Sequence, residues 1–338
     1  MGFEVDRRAT IVGFLGAAVV LSAIAYVVGV HRILATLLRA DPPVLLLVLV
    51  AAATWLTAWG LALRTVLRVL GANVSVPQAA LVFAGSTFAN NVTPFGQAGG
   101  EPVSALIISQ AAESEYETGL AAIASVDALH FVPSVTLATV GLGYVAATTV
   151  LGRQLRMAAI AVGALGLAMP LAAYVGWRHR YAVEATVVRL LTPVIRLAGR
   201  VLPRRAPPDP HVIERRIESF FAAVDRVARD RRALVAVVGF SLVGWLALAG
   251  SLWLSLFSLG VVVPPPALLV VVPVASIAGF TPLPGGLGGV ETVLVALLGT
   301  AAGVDPAVAV AAVFLHRGAT YLLPTAVGGG VASAMGAR

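Results

Sequence analysis

"NNVTPFGQAGGEP", residues 90–102, interrupts a stretch that would otherwise read as one continuous apolar span. "FTPLPGGLGGVE", residues 280–291, does the same later in the chain: Thr-Pro, then glycines, then a Glu opening a new apolar run. Pro94, Pro282 and Pro284 remove backbone donors and break a helix, and the glycines permit close approach and positive φ. Each unpaired N–H or C=O costs several kcal/mol in hydrocarbon. Such backbone is tolerated only where it is buried in protein or lines a wet cavity. Both motifs are therefore expected to sit inside the protein at membrane depth.

The rest of the chain supports a membrane setting. Of 338 residues, 59% are hydrophobic and 12% charged, against about 25% charged in soluble domains. Apolar runs near 10–30, 43–63, 119–149, 155–176, 233–259 and 306–333 are long enough to span a ~30 Å hydrocarbon core. The broken regions, 79–111 and 265–303, split into pieces that are marginal or too short to cross alone. The expected fold is an all-α polytopic membrane protein of about eight membrane segments: six full transmembrane helices and two broken, re-entrant hairpins. Arg7 and Arg8 precede the first run, but that run is long and no clear A-x-A site follows, so it is expected to be a retained helix.

Residues 177–232 form the one sizeable polar block, with 13 Arg against six acids, an excess expected on the cytoplasmic side. It divides a single transmembrane domain into a first half, 10–176, and a second half, 233–338. Within it, "HVIERRIESFFAAVDRVARDRR", residues 211–232, has apolar residues at helical spacing opposite a charged face. "VVRLLTPVIRLAGRVL", 187–202, is basic and amphipathic, suited to anionic lipid, and "RRAPPDP", 204–210, is a linker. Crossings counted from a cytoplasmic N-terminus place both termini and 177–232 in the cytoplasm. They also bring the first hairpin in from inside and the second from outside. Broken helices in corresponding places of two inverted halves point to a transport site near the midplane.

Composition also excludes chemistry. Cysteine is absent, which removes disulfides, iron–sulfur clusters and thiolate zinc sites. The five His, at 31, 130, 179, 211 and 316, form no ligand pair at helical spacing, so no metal site is expected. All 23 basic residues are Arg, which removes Schiff-base lysine chemistry. The pI near 10.7 reflects cytoplasmic loops and head-group contacts, not nucleic acid. No nucleophile elbow, P-loop or HExxH motif is present, and the glycine-rich motifs follow no strand. No cofactor is expected.

Glu101 and Glu291 stand where new helices are expected to begin. A helix N-terminus offers free N–H groups and about half a positive charge. Two roles stay open for these acids: capping their own helices, or serving a polar or proton-coupled path, with the helix ends holding an anionic head group. Asn90 and Asn91 either end a helix or line that path. Asp127 and His130 lie three apart on one helical face. Arg317 is deep in the last run. It pairs with Glu291 or Asp127, or grips a phosphate with its planar fork. His316 reads as a packing residue. The candidate path comprises Asn90, Asn91, Thr93, Gln97, Gly99, Gly100 and Glu101 in the first motif. Thr281, Gly285, Gly286, Gly288, Gly289 and Glu291 form its second part, with Asp127, Arg317 and Tyr321 from neighbouring helices.

The two Pro-Gly-Gly-Glu motifs, Asp127 in "VDALHF" and "HRGATYLLP" at 316–324 together resemble the lysylphosphatidylglycerol synthase transmembrane-region family, also called flippase-like. The resemblance covers residues 10–333, and "PFGQAGGE" is most like archaeal members. It implies a translocase for a phospholipid or a polyprenyl-phosphate-linked sugar in the cytoplasmic membrane. Some members of that family carry a fused soluble transferase domain, for which the 56-residue polar block is too short. Two other classes stay open: a membrane-embedded lipid-modifying enzyme using Glu101, Glu291, Asp127 and His130, and a non-catalytic partner of a lipid-linked glycosyltransferase docking through 177–232. Membrane lipids are the expected partners in every case.

Overall fold

The computed structural model describes residues 7–148, 152–179, 186 and 210–336. The predicted basic amphipathic stretch and most of the linker, 187–209, lie outside them. Helices dominate the described residues. The first run is α1 (Arg7–Val28), which turns at Gly29 into the short α2 (Val30–Leu37). Gly29 has φ 99, a conformation that a residue with a Cβ rarely takes. Next come α3 (Pro42–Val69), α4 (Val76–Val92), α5 (Gln97–Ala111), α6 (Tyr116–Thr148) and α7 (Arg153–Arg178). After the polar block come α8 (Pro210–Arg229), α9 (Arg231–Ser258), α10 (Pro265–Ile277), α11 (Gly289–Ala302), α12 (Pro306–Arg317) and α13 (Leu323–Gly336).

By length and composition, six stretches of the described residues suffice to cross a membrane. Five coincide with predicted spans: Ile11–Val28, Pro42–Val69, Tyr116–Thr148, Arg231–Ser258 and Pro306–Met335. The predicted span at 155–176 is the 26-residue helix α7. The sixth stretch, Pro284–Ala302, is the second arm of the predicted broken region. Its continuous helix, α11, has only 14 residues, about 21 Å.

Both broken regions fold into helical hairpins. In the first, Gln78 Nε2 donates to the Ala111 carbonyl at 2.9 Å across the open end. At the closed end, Gly100 sits against the backbone of Asn90, where a Cβ would lie 2.6 Å from Cα and 2.7 Å from N. In the second, α10 packs on α11. The tip between them is two single 3₁₀ turns, Ala278–Phe280 and Pro284–Gly286.

The two halves correspond under a single shift in numbering. A shift of 190 positions carries Trp55 onto Trp245, Pro94 onto Pro284, Gly96 onto Gly286, Gly99 onto Gly289 and Glu101 onto Glu291. Packing follows the same exchange. α3 on α4 corresponds to α9 on α10, and α5 on α6 to α11 on α12. The first arm of each hairpin packs on the run that follows the other hairpin: α4 on α13, the end of the run that α12 begins, and α10 on α6.

The equivalent helices α3 and α9 lie side by side and antiparallel. Asp41 N–H, at the start of α3, donates to the carbonyl of Ser258, at the end of α9, at 2.9 Å. Nearer the other end, Trp59 Nε1 donates to the Ser241 carbonyl at 3.3 Å. The first hairpin opens beside the end of α3, where Arg64 Nε donates to the Val74 carbonyl at 2.7 Å. The second opens beside the end of α9, where Trp253 Nε1 donates to the Val263 carbonyl at 3.0 Å. The halves are therefore inverted, and the hairpins point at each other.

There are two apolar cores, each drawn mainly from one half. One gathers Leu63, Leu67, Ile108, Ile123 and Val126, and α8 seals it with Ala223 and Val227. The other gathers Leu252, Leu256, Leu268, Leu294 and Leu298. The amphipathic helix predicted within 211–232 is α8, tethered to the start of α6 by Arg216 and Glu117 at 3.4 Å.

Candidate functional site

The hairpin tips meet between the two cores. A Cβ at Gly96 would lie 2.6 Å from the Gly279 carbonyl, and one at Gly285 would lie 3.0 Å from Asn91 Cα. Gly285 has φ 56 and faces the Tyr321 ring as well, so this crossing point requires glycine twice over, for space and for backbone. Tyr321 OH donates to the Asn91 carbonyl at 2.8 Å, and Asn91 Nδ2 donates to Thr325 Oγ1 at 2.8 Å. The last helix thus clamps the first hairpin.

Tyr321 can reach because the run from Pro306 is not a plain α-helix. Gly318–Leu322 forms a single π turn, with Arg317 at its start. Such bulges re-aim side chains and concentrate at functional sites. A continuous 3.6 period in "FLHRGATYLLP" gives no sign of it.

Glu291 occupies the third position of α11. Its Oε2 accepts the Gly288 N–H at 2.6 Å, and its Oε1 accepts Arg317 Nε at 2.5 Å. It is a cap and an ion-pair partner at once. Arg317 also donates from Nη2 to the Gly285 carbonyl at 3.3 Å and lies over the Tyr321 ring. One guanidinium thereby ties the second tip to the last helix.

Glu101 corrects the expectation that it opens a helix. α5 begins at Gln97, four residues earlier, so Glu101 sits beyond the capping turn. Gly99 and Gly100 belong to that first turn, pressed against Pro94 and Asn90. Among the described residues, half-buried Glu101 makes no hydrogen bond or ion pair, and it lines neither cavity described below.

Two adjoining cavities of about 270 and 190 Å³ lie beside the tip contact. Asp127, Gly279, Gly285 and Arg317 line both. His130 lines the larger, and Asn90, Asn91 and Gly96 the smaller. Thr93, Thr281, Gly286, Gly288 and Gly289 shape the tips without lining either space. Thr93 Oγ1 closes α4 by donating to the Ala89 carbonyl at 2.7 Å, and Gly289 packs on Thr281. Gln97 contributes its backbone as the first residue of α5. His316 is buried, bonds through Nδ1 to Ser251 Oγ at 3.0 Å and also lines the larger cavity. Among the described residues, no group of three or more His, Asp and Glu is placed to hold a metal ion.

Three wall residues escaped the sequence reading. Trp55, Trp59 and Trp245 form an edge-packed cluster with Phe83, and His130 stacks on Trp59 at 4.0 Å. Tryptophan within an apolar run looks like any other core residue. Only the 190-residue spacing of Trp55 and Trp245 marks them, as equivalents in the two halves.

The sequence profile of the lysylphosphatidylglycerol synthase TM region matches residues 11–328. A UPF0104 membrane protein of Methanothermobacter thermautotrophicus is 28% identical over 331 residues, covering 96% of this chain and 92% of its own. A second, from Pyrococcus horikoshii, is 27% identical over 311 residues, covering 89% of this chain and 90% of its own. The match takes in both hairpins, the ion pair and the cavities between them, and the chain belongs to the lysylphosphatidylglycerol synthase transmembrane-region family.

Proposed function

We propose that this chain carries a lipid head group, of a phospholipid or a polyprenyl-phosphate-linked sugar, across the cytoplasmic membrane. The observation that supports this reading is the meeting of two inverted hairpin tips beside two cavities that Asp127 and Arg317 both line. A head group needs a polar route through a region that hydrocarbon otherwise closes. Two short hairpins supply it by bringing irregular backbone to one level from opposite ends, while the tails stay in lipid. Alternating access then follows if the two inverted halves exchange roles.

The test is transport of a labelled lipid by the purified chain in liposomes. Asp127 is the acid that lines both cavities, and Asp127→Asn keeps its shape without its charge. Normal abundance with transport lowered about tenfold is expected, the loss of one charge-assisted contact. Wild-type transport by this variant removes Asp127 from the path. Head-group chemistry without movement, seen as a new product on a thin-layer plate, makes the chain an enzyme instead.

The same reading carries an orientation: residues 177–232 in the cytoplasm, from their 13 Arg against six acids, and both termini there by the count of crossings. The chain has no native cysteine, and Ser219 is exposed on α8. A cysteine there is expected to resist an impermeant maleimide in intact cells and to react in inverted vesicles. Labelling from outside refutes the orientation.

A further inference from the structure

The larger cavity is built for something other than phosphate. Its wall carries one guanidinium, Arg317, which Glu291 already holds at 2.5 Å, and one carboxyl, Asp127. A phosphate placed there meets a compensated cation and an acid. The remaining wall is largely apolar and aromatic, with three indoles.

Their polar atoms are unequally used. Trp59 Nε1 donates to the Ser241 carbonyl and Trp245 Nε1 to the His130 carbonyl at 3.0 Å. Trp55 is 7% exposed, and its indole N–H is buried with no partner in the described chain. His130 is 5% exposed, its Nδ1 meets Ser241 Oγ at 2.6 Å, and its Nε2 is likewise without a partner. Buried polar atoms are nearly always satisfied, so these two, on residues of one wall, point to a ligand that both donates and accepts.

We propose, resting on the transport reading, that this chamber takes a neutral, hydroxyl-bearing head group, a sugar ring, in preference to a phosphate. A pyranose has apolar C–H faces that pack on aromatic rings and a rim of hydroxyls that donate and accept at once. Indole presents the complementary surface, a broad apolar face with one polar handle. A volume of about 270 Å³ is just under the ~300 Å³ lower bound for drug-sized ligands, the scale of one head-group residue. Any phosphate of the same lipid then rides outside the chamber.

The experiment uses the full chain in phosphatidylcholine nanodiscs and reads intrinsic tryptophan emission. The probes are glucosyl-diacylglycerol, phosphatidic acid and free glucose. Saturable change with glucosyl-diacylglycerol, and a much weaker response to phosphatidic acid, is expected. Trp55→Phe, which keeps a ring and removes the N–H, is expected to weaken glucosyl-lipid binding roughly fivefold, one hydrogen bond. Should that variant fold poorly, phosphatidic acid competing against glucosyl-lipid on the wild-type protein decides alone. Equal or tighter binding of phosphatidic acid, or unchanged affinity in a folded Trp55→Phe, overturns the proposal. Free glucose binding as tightly as the lipid supports the sugar chemistry and counts against a lipid source. Sugar binding by a chain that moves no lipid in liposomes supports the chamber and overturns the transport reading separately.

Discussion

Glu291→Gln is expected to cost about 3–5 kcal/mol of stability, because it strands a guanidinium inside the protein. Glu291 and Arg317 side chains are 3% and 17% exposed, so little solvent screens the pair. Gln keeps an acceptor for the Gly288 N–H, so the cap survives and the change isolates the ion pair. Glu291→Ala removes the cap as well and should cost about 1 kcal/mol more. The double change Glu291→Gln with Arg317→Gln leaves neither charge behind and should recover most of the loss. Thermal unfolding of the purified proteins in one detergent measures all of these. A double variant no more stable than Glu291→Gln alone would show that Arg317 is held by something other than Glu291.

That arrangement bears on what each half contributes. The 190-residue shift lays Asp127 on Arg317, reversing the charge, while Glu101 and Glu291 stay acidic. In the second half the acid is neutralised by its neighbour and caps a helix. In the first half Glu101 sits a turn deeper and the equivalent of the arginine is another acid. Inverted repeats with identical charges would be interchangeable. These halves are not: Glu291 has Arg317 beside it, whereas Glu101 has no ion pair among the described residues.

Much of this fold is written in local composition. Pro and Gly clusters within apolar runs locate both hairpins, because nothing else tolerates such backbone at that depth. The start of α5 was misplaced because Gly99 and Gly100 read as loop. They lie in the helix and are glycine because the facing turn at Pro94 and Asn90 leaves no room for a side chain. The π turn at Gly318–Leu322 is invisible because it is fixed by contacts of Arg317 and Tyr321 with residues 26 and 230 positions away. The tryptophan chamber is invisible for a different reason. Its residues satisfy the apolar pattern, and only three-dimensional neighbours show that some of their polar atoms are unspent.

The second large effect is expected within three consecutive glycines, Gly328–Gly330, on α13. A Cβ at Gly328 would run into the Ala84 carbonyl of α4 and lie 2.7 Å from Phe88 Cβ. One at Gly329 would stand 3.2 Å from the Phe88 ring, and one at Gly330 would meet nothing within 4 Å. All three lie in one helix, so their helix-propensity gain on substitution is the same, about 1 kcal/mol in favour of Ala. Packing alone separates them. Gly328→Ala must push α13 off α4, and overpacking of this kind costs about 1–3 kcal/mol or more. Because α4 is an arm of the first hairpin and Thr325 and Tyr321 hold Asn91, the displacement also loosens the tip. Gly328→Ala should therefore lower both melting temperature and transport. Gly329→Ala should be mild, since the Phe88 ring can yield a few tenths of an ångström. Gly330→Ala should be neutral or stabilising. Small residues let helix backbones approach closely within membranes, where no hydrophobic effect drives them together. Equal melting temperatures across the three variants would mean that α4 and α13 do not pack at this distance. The route by which the last helix clamps the first hairpin would then have to be redrawn.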